Sequence, residues 1–288
     1  MQTVEQLEIP ACQRWWEQES SFIRDDEPFR WSQGWEVSPL DRATARTFIQ
    51  RHHYLKKLPV NRERFGLYNR RGYLVGVAVY GVPSNYAAFS VLGCDNDAAL
   101  ELSRLVLLDG AHGALSVPCN GESAFVGRCH DLLRRKGYEG VISFSDPMKR
   151  TATDGREITP GHVGGVYQGC SAVYLGQSRP GPLLLLPDGQ ALHRRTVQKI
   201  RHLERNWEAA VTELRSYGAG PFVGEAEAWL DEWVPKLTRR LHHPGNHKYA
   251  FALHRAVRRA LPPSKPYPVP PGGRVAPKWG VRAQRLAA

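Results

Sequence analysis

The sequence predicts a mixed α/β (α+β) protein: one central sheet flanked by helices, with an N-terminal arm and a basic C-terminal extension. Three observations lead there. Apolar, β-branched and aromatic runs alternate with helix-period segments in the order β-α-β-β-β-α-β between residues 35 and 146. A chain of 288 residues that is 42% hydrophobic can bury a sizeable core. The net charge of +11 is also lopsided: residues 191–288 carry 18 Lys and Arg against 7 Asp and Glu, whereas the first 190 carry 21 of each. An excess gathered in one third of the chain points to a polyanionic partner, nucleic acid first, or to a solvated basic tail.

The elements follow in order. Residues 1–35 hold Trp15, Trp16, Trp31 and Trp35 among charges and read as an arm packed on the main domain, because that many exposed indoles would be a liability. "GWEVSPL" is a short strand. "SPLDRATARTFIQRHHY" is a helix capped by Ser38 or Asp41, with Ala45, Phe48 and Ile49 on one face. "ERFGLYNRRGYLVGVAVYGVP" is a hairpin that turns at Gly72. "ALELSRLVLLD" is apolar enough for a central strand. "SAFVGRCHDLLRRKG" is a helix stopped by Gly137, and "YEGVISFSD" is the next strand. After "AVYLG" and "GPLLLLPDGQAL", helical periodicity runs through "RRTVQKIRHLERNWEAAVTELRS", and "HKYAFAL" reads as a late strand. The organisation is therefore an arm (1–35), a domain (36–255) with a helical insert at about 193–243, and a basic, Pro-rich, extended tail (256–288).

Several classes are excluded. No apolar run reaches the length of a membrane span, and "GPLLLLP" is far too short. The acidic N-terminal stretch has no basic region followed by an apolar one, so no secretory signal is expected. The five cysteines are scattered with no CxxC pair, which suits a reducing cytoplasm better than a disulfide framework or a zinc finger.

A strand followed by a Gly-rich connection and a helix N-terminus can hold a phosphate, because the first-turn N–H groups and the helix dipole favour an anion. Here that place is Asn120-Gly121-Glu122-Ser123, although Glu122 opposes an anion and any β-loop-α unit qualifies. The order of elements resembles the GNAT acetyltransferase fold. More specifically, "RHHYLKKLP", "GYLVGVAVYGVP", "ELSRLVLLD", "SFSDP", "GHVGGVYQGCSAVYLG" and "HKYAFAL", taken in order over roughly residues 45–255, resemble the Mom family of phage DNA-modification proteins.

That resemblance implies an acetyl-CoA-type donor with its pyrophosphate at Asn120, Gly121 and Ser123, and with Leu107 at the end of the splayed strand. It implies adenine of double-stranded DNA as substrate, modified at N6 to a carbamoylmethyl form that hides phage DNA from restriction, inside the cytoplasm of a bacterial host. It puts His53, Tyr54, Asp146 and Tyr167 at the family's functional positions. One imidazole, one carboxylate and two phenols also make a ligand set for iron. A redox metal would help explain the product, since direct attack of an amine on acetyl-CoA gives an amide, not a methylene link.

Each residue also has a plainer reading. Asp146 before Pro147 is a common turn starter. His162 beside Gly161 can cap a short helix, and Tyr167 can be a core residue. Glu101 and Arg104, inside an apolar strand, are either ion-paired or line a cleft. One departure from the family pattern is the polar insert "KRTATDGREI", which separates Asp146 from His162 where the two were expected close together. Two other functions stay open: an ordinary N-acyltransferase using Glu101 or Asp146 as base, and a DNA-binding protein without chemistry.

Overall fold

The computed structural model describes residues 11–16, 19–24, 28–82, 86–109 and 115–269, the first two stretches by backbone alone. Strands β1 (Ala11–Trp16) and β2 (Glu19–Arg24) form an antiparallel hairpin. The side chains of Trp15 and Trp16 lie outside the described residues. Trp31 and Trp35 both pack on Phe29, at 5.0 Å between ring centroids.

The chain divides into two compact units. The first is built on a seven-stranded mixed sheet in the order β10-β13-β7-β6-β5-β4-β3. Its strands are β3 (Glu36–Pro39), β4 (Glu63–Tyr68), β5 (Leu74–Gly81), β6 (Ala99–Leu107), β7 (Gly140–Ser145), β10 (Val173–Gln177) and β13 (His247–Ala252). Helices α1 (Arg42–His52), α2 (Gly121–Arg135), the short α3 (Gly165–Gly169) and α7 (Arg255–Ala260) belong to the same unit. Asp41, not Ser38, caps α1: its carboxylate accepts the Thr44 N–H, and Ala45, Phe48 and Ile49 are buried as the periodicity predicts. The mixed α/β class with a helix-flanked central sheet is therefore the fold of this chain.

Only one pair in the sheet is parallel, β6 with β7, and it is joined by α2. Pairing runs from Ala99↔Gly140 to Leu102↔Ser143 and stops, while β6 continues to Leu107 and β7 to Ser145. The two strands thus part at their C-terminal ends. Because α2 returns the chain from the end of β6 to the start of β7, its first turn lies at that open end.

The second unit comprises Pro147–Gly161 and Ser178–Gly245. It holds the small hairpin β8 (Arg150–Thr151) with β9 (Glu157–Thr159), the pair β11 (Gly181–Leu185) with β12 (Arg239–His243), and three helices: α4 (Arg194–Arg201), α5 (Trp207–Ser216) and α6 (Ala226–Leu237). Leu186, Leu192, Ile200, Val211, Leu214, Trp229 and Leu230 form its core. The single long helical pattern expected over 194–216 is broken, because Leu203 and Asn206 take positive φ (46° and 63°), so α4 ends and α5 starts afresh. The polar insert expected as loop forms β8–β9.

The Pro-rich segment is extended up to the last described residues, but it is not free. Lys265 N–H donates to the Tyr174 carbonyl (2.9 Å), Ser264 Oγ accepts the Tyr174 N–H (3.0 Å), and Tyr267 donates to the Ala172 carbonyl (2.7 Å). β10 is an edge strand whose backbone groups need partners, and this segment supplies them. Among the described residues no helix is long and apolar enough to cross a membrane.

Candidate active site

The candidate site lies wholly in the first unit, at the parted ends of β6 and β7. On β6, Arg104 donates from Nη1 to the Ser103 carbonyl (2.6 Å) and from Nε to the Lys57 carbonyl (3.3 Å). Among the described residues no carboxylate is ion-paired with Arg104, whose guanidinium instead bonds these two carbonyls. Burial lowers the Arg104 pKa, while Tyr54, Glu101 and Tyr167 nearby oppose that. The Glu101 pKa is raised, chiefly by burial, against the Ser103 hydroxyl that donates to its Oε1 at 3.3 Å and the Arg104 charge.

Helix α1 ends into the same place. Its last carbonyls hand on to His53, buried at 7% exposure, and to Tyr54, whose ring lies 4.2 Å from the His53 ring at 31°. The Leu55 N–H donates to His53 Nδ1 at 3.0 Å. Nδ1 is therefore an acceptor, and the proton of the neutral ring sits on Nε2. Burial drives the His53 pKa well down, helped by the Arg104 and His162 charges, so this neutral form is the one present at pH 7.

Tyr167 comes from α3. Gly164, the N-cap of α3, has φ 78°, and a Cβ there would meet the Tyr249 ring at 2.7 Å and Tyr167 at 2.8 Å. Only glycine lets the chain turn this close to the two rings. His162 is not the cap of α3, so that plain reading fails. Ser143 Oγ donates to the Leu102 carbonyl (3.0 Å) beside the Tyr167 hydroxyl, whose pKa burial raises strongly.

Asp146 ends β7, and the insert that separated it from His162 closes on itself: the His162 N–H donates to the Asp146 carbonyl at 2.8 Å. The two residues are neighbours despite the length of chain between them. His247, paired with Ser145 on β13, completes this group, and its Nδ1 meets the Tyr174 hydroxyl at 2.7 Å. Burial lowers the pKa of His162 and of His247, with Asp146 opposing it at His162. The structure thus brings His53, Tyr54, Glu101 and Tyr167 around Arg104, and Asp146 beside His162 and His247. Sequence reasoning passes over Ser143 and His247, and reads Tyr174 as a core residue. Only the non-local pairing of β13 between β7 and β10 brings His247 here, and no local pattern signals it.

The donor-binding residues are placed unevenly. The Leu107 side chain is buried in the core beside Gly76 and Gly121, at the end of β6. Asn120 sits at the N-cap of α2 with φ 66° and makes no side-chain cap bond, while Ser123 Oγ returns to the Asn120 carbonyl at 3.0 Å. The first-turn N–H groups of α2 are thus left uncapped by Asn120, with Glu122 beside them.

Iron does not fit this arrangement. The Nδ1 lone pair of His53 is engaged by a backbone N–H, which leaves Nε2 a donor instead of a ligand. The Arg104 guanidinium stands close enough to His53, Tyr54 and Tyr167 to act on them electrostatically and would repel a dication there. Among the described residues, no group of three or more His, Cys, Asp or Glu is placed to hold a metal. The expected set of His53, Tyr54, Asp146 and Tyr167 is withdrawn as a metal centre on these grounds.

A family model described as the Mom protein family matches residues 34–269. A search of curated proteins gave no match. Solved structures similar to this chain include spermidine N-acetyltransferase from Vibrio cholerae in an intermediate state (9% identity, 79% of this chain and 98% of that one, TM-score 0.36). An N-acetyltransferase from Staphylococcus aureus Mu50 (10%, 77% and 99%, TM-score 0.35) is another. A third is the Vibrio cholerae spermidine enzyme in complex with CoA and spermine (9%, 78% and 99%, TM-score 0.33).

Proposed function

The chain belongs to the Mom protein family, and on that premise we propose that it modifies adenine in double-stranded DNA. The reading is that it places a carbamoylmethyl-type group on N6, draws on an acetyl-CoA-type donor, and so shields phage DNA from restriction. The observation that carries the reading is Arg104, held by two carbonyls at the parted end of β6 and ringed by His53, Tyr54, Glu101 and Tyr167, all inside the family match.

Adenine N6 is paired and stacked in a duplex, so the base must be extruded to react. The half-buried Tyr54 ring, stacked on His53, offers it a platform. Asp146 takes the N6 proton as general base, with His162 and His247 beside it. Arg104 and the Nε2–H of His53 offer hydrogen-bond donors to the oxygen of the donor's transferred group. The first turn of α2, which Asn120 leaves without a side-chain cap, suits the donor's pyrophosphate. The parted β6–β7 ends also suit an ordinary N-acyltransferase acting on a small amine, which is the second reading.

Mass spectrometry of nucleosides digested from the DNA of a bacterium expressing the chain separates these readings, with Asp146→Ala as control. A new adenine derivative that vanishes in the control is expected. Unmodified adenine despite abundant folded protein overturns the DNA reading and leaves acyl transfer to a small amine.

A further inference from the structure

Between Arg42 and Arg62 the sequence has six Lys and Arg and no Asp or Glu. In the fold this stretch is α1 and the loop that leaves it. Arg42 and Arg46 stand one turn apart on the exposed face of α1, Arg51 lies at the other margin of that face, and Lys56 is exposed just beyond Tyr54. Among the described residues none of these four side chains meets a carboxylate. The acid nearest in sequence, Asp41, is engaged as the helix cap.

Some cations on other helices are ion-paired. Arg134 pairs with Asp131 (3.1 Å) on α2, and Lys136, which follows it, pairs with Glu63 (2.5 Å). Arg195 pairs with Glu204 on α4. Helix α7 also carries a run of cations, Arg255, Arg258 and Arg259, exposed and among the described residues without a carboxylate. Yet α7 follows the end of β13 that pairs with Gly140, at the start of β7 and so at the far end of the sheet from Asp146. Helix α1, in contrast, runs directly into His53 and Tyr54.

We propose that the exposed face of α1 and the following loop is the docking surface for the phosphate backbone of duplex DNA, set so that an extruded base reaches Tyr54. This rests on the DNA reading above and adds where the duplex lies. Unpaired, exposed arginines lose no ion pair when they meet phosphate. A helix of eleven residues is about 16 Å long, and each DNA strand offers a phosphate every ~3.4 Å of duplex axis, so several lie within reach. Gln50 on the same face adds a neutral donor.

The test is the affinity of the full chain for a fluorescent 30-base-pair duplex, measured by anisotropy across a salt series. The variants are Arg42→Ala/Arg46→Ala/Arg51→Ala, the same three positions as Lys, and Arg255→Ala/Arg258→Ala/Arg259→Ala on α7. Three lost phosphate contacts lower the slope of log K against log salt by about 2 to 3. The α1 alanine variant is expected to show that drop and at least a tenfold weaker binding, while the Lys and α7 variants keep the wild-type slope. The exposed positions favour alanine, and the Lys variant separates lost charge from lost fold. A wild-type slope in the α1 alanine variant overturns the docking surface but leaves the DNA reading standing. Absence of duplex binding by the wild-type chain overturns both. Stronger binding to duplex RNA, or to vesicles of anionic lipid, overturns the assignment of DNA as the occupant.

Discussion

The two units bury different things. The helical core of the second unit is apolar, from Leu186 and Ile200 to Leu214 and Trp229, with pairs such as Arg195 with Glu204 and Lys236 with Glu232 outside it, and the buried polar residues of that unit, Arg150 and Thr159, lie on its small β8–β9 hairpin. The first unit buries His53, Asn69, Asp109, Ser143, Ser145 and His247, and it draws Tyr80, Tyr167, Tyr174 and Tyr249 into one core. Tyr80, Leu102, Ser143, Tyr249 and Tyr174 lie opposite one another across five strands of the sheet. Burying a polar group is unfavourable unless it is hydrogen-bonded, so packing built for stability alone looks like that helical core. The first accepts that cost near the parted ends of β6 and β7, where the candidate chemistry lies.

The comparison can be broken at several points. The largest expected effect on stability is in the apolar core: Leu214→Ala should remove about 2 to 5 kcal/mol, read as a lower midpoint in thermal unfolding. A loss below about 1 kcal/mol would mean that this core is loosely packed and the contrast is overdrawn.

The next effect depends on pH. His130, on α2, is half-buried, its Nε2 shielded from water with no hydrogen-bond partner, and this burial lowers its pKa to about 4. The folded form therefore holds a neutral ring, whereas the unfolded chain takes up a proton below about 6.5. Its contribution is intact above pH 6.5 and is lost as the pH falls toward 4, by roughly 3 kcal/mol in all. His53, His162 and His247 are shifted in the same direction and add to the loss. The variant His130→Leu should flatten the fall in unfolding midpoint between pH 7 and 4.5; an unchanged curve would show that His130 is not held neutral.

The smallest effect concerns Tyr174. Replacing it with Phe removes the partner of His247 Nδ1 and should cost about 1 kcal/mol, with the imidazole titration of His247 shifted in a pH series of NMR spectra. A titration unmoved by the change would detach Tyr174 from the site.

Much of this was legible in the sequence, and for physical reasons. Helix α1, the β4–β5 hairpin, β6, α2 and β7 follow from local periodicity and turn chemistry, which act over a few residues. Helix α3 was read as a Gly-rich stretch, since five residues led by Gly164 and Gly165 carry no helical pattern. The break between α4 and α5 was hidden because apolar spacing continues across it, and only the left-handed backbone at Leu203 and Asn206 interrupts the helix. In the site, Asp146 and Tyr167 could be picked out because strand ends and glycine turns mark themselves. His247 could not, because its place depends on pairing with a strand 100 residues earlier. The iron expectation failed because a residue list carries no information on which nitrogen of His53 is engaged or where the Arg104 charge sits.

The central claim is that the chemistry lies around Arg104 in the first unit. It is tested most directly by the yield of modified adenine per total adenine in DNA from cells expressing Arg104→Gln, beside Arg240→Gln, an exposed arginine on β12 of the second unit. A fall of about a hundredfold or more in Arg104→Gln, with Arg240→Gln within threefold of wild type, is the predicted result. Equal yields from the two variants would contradict it and place the chemistry elsewhere in the chain.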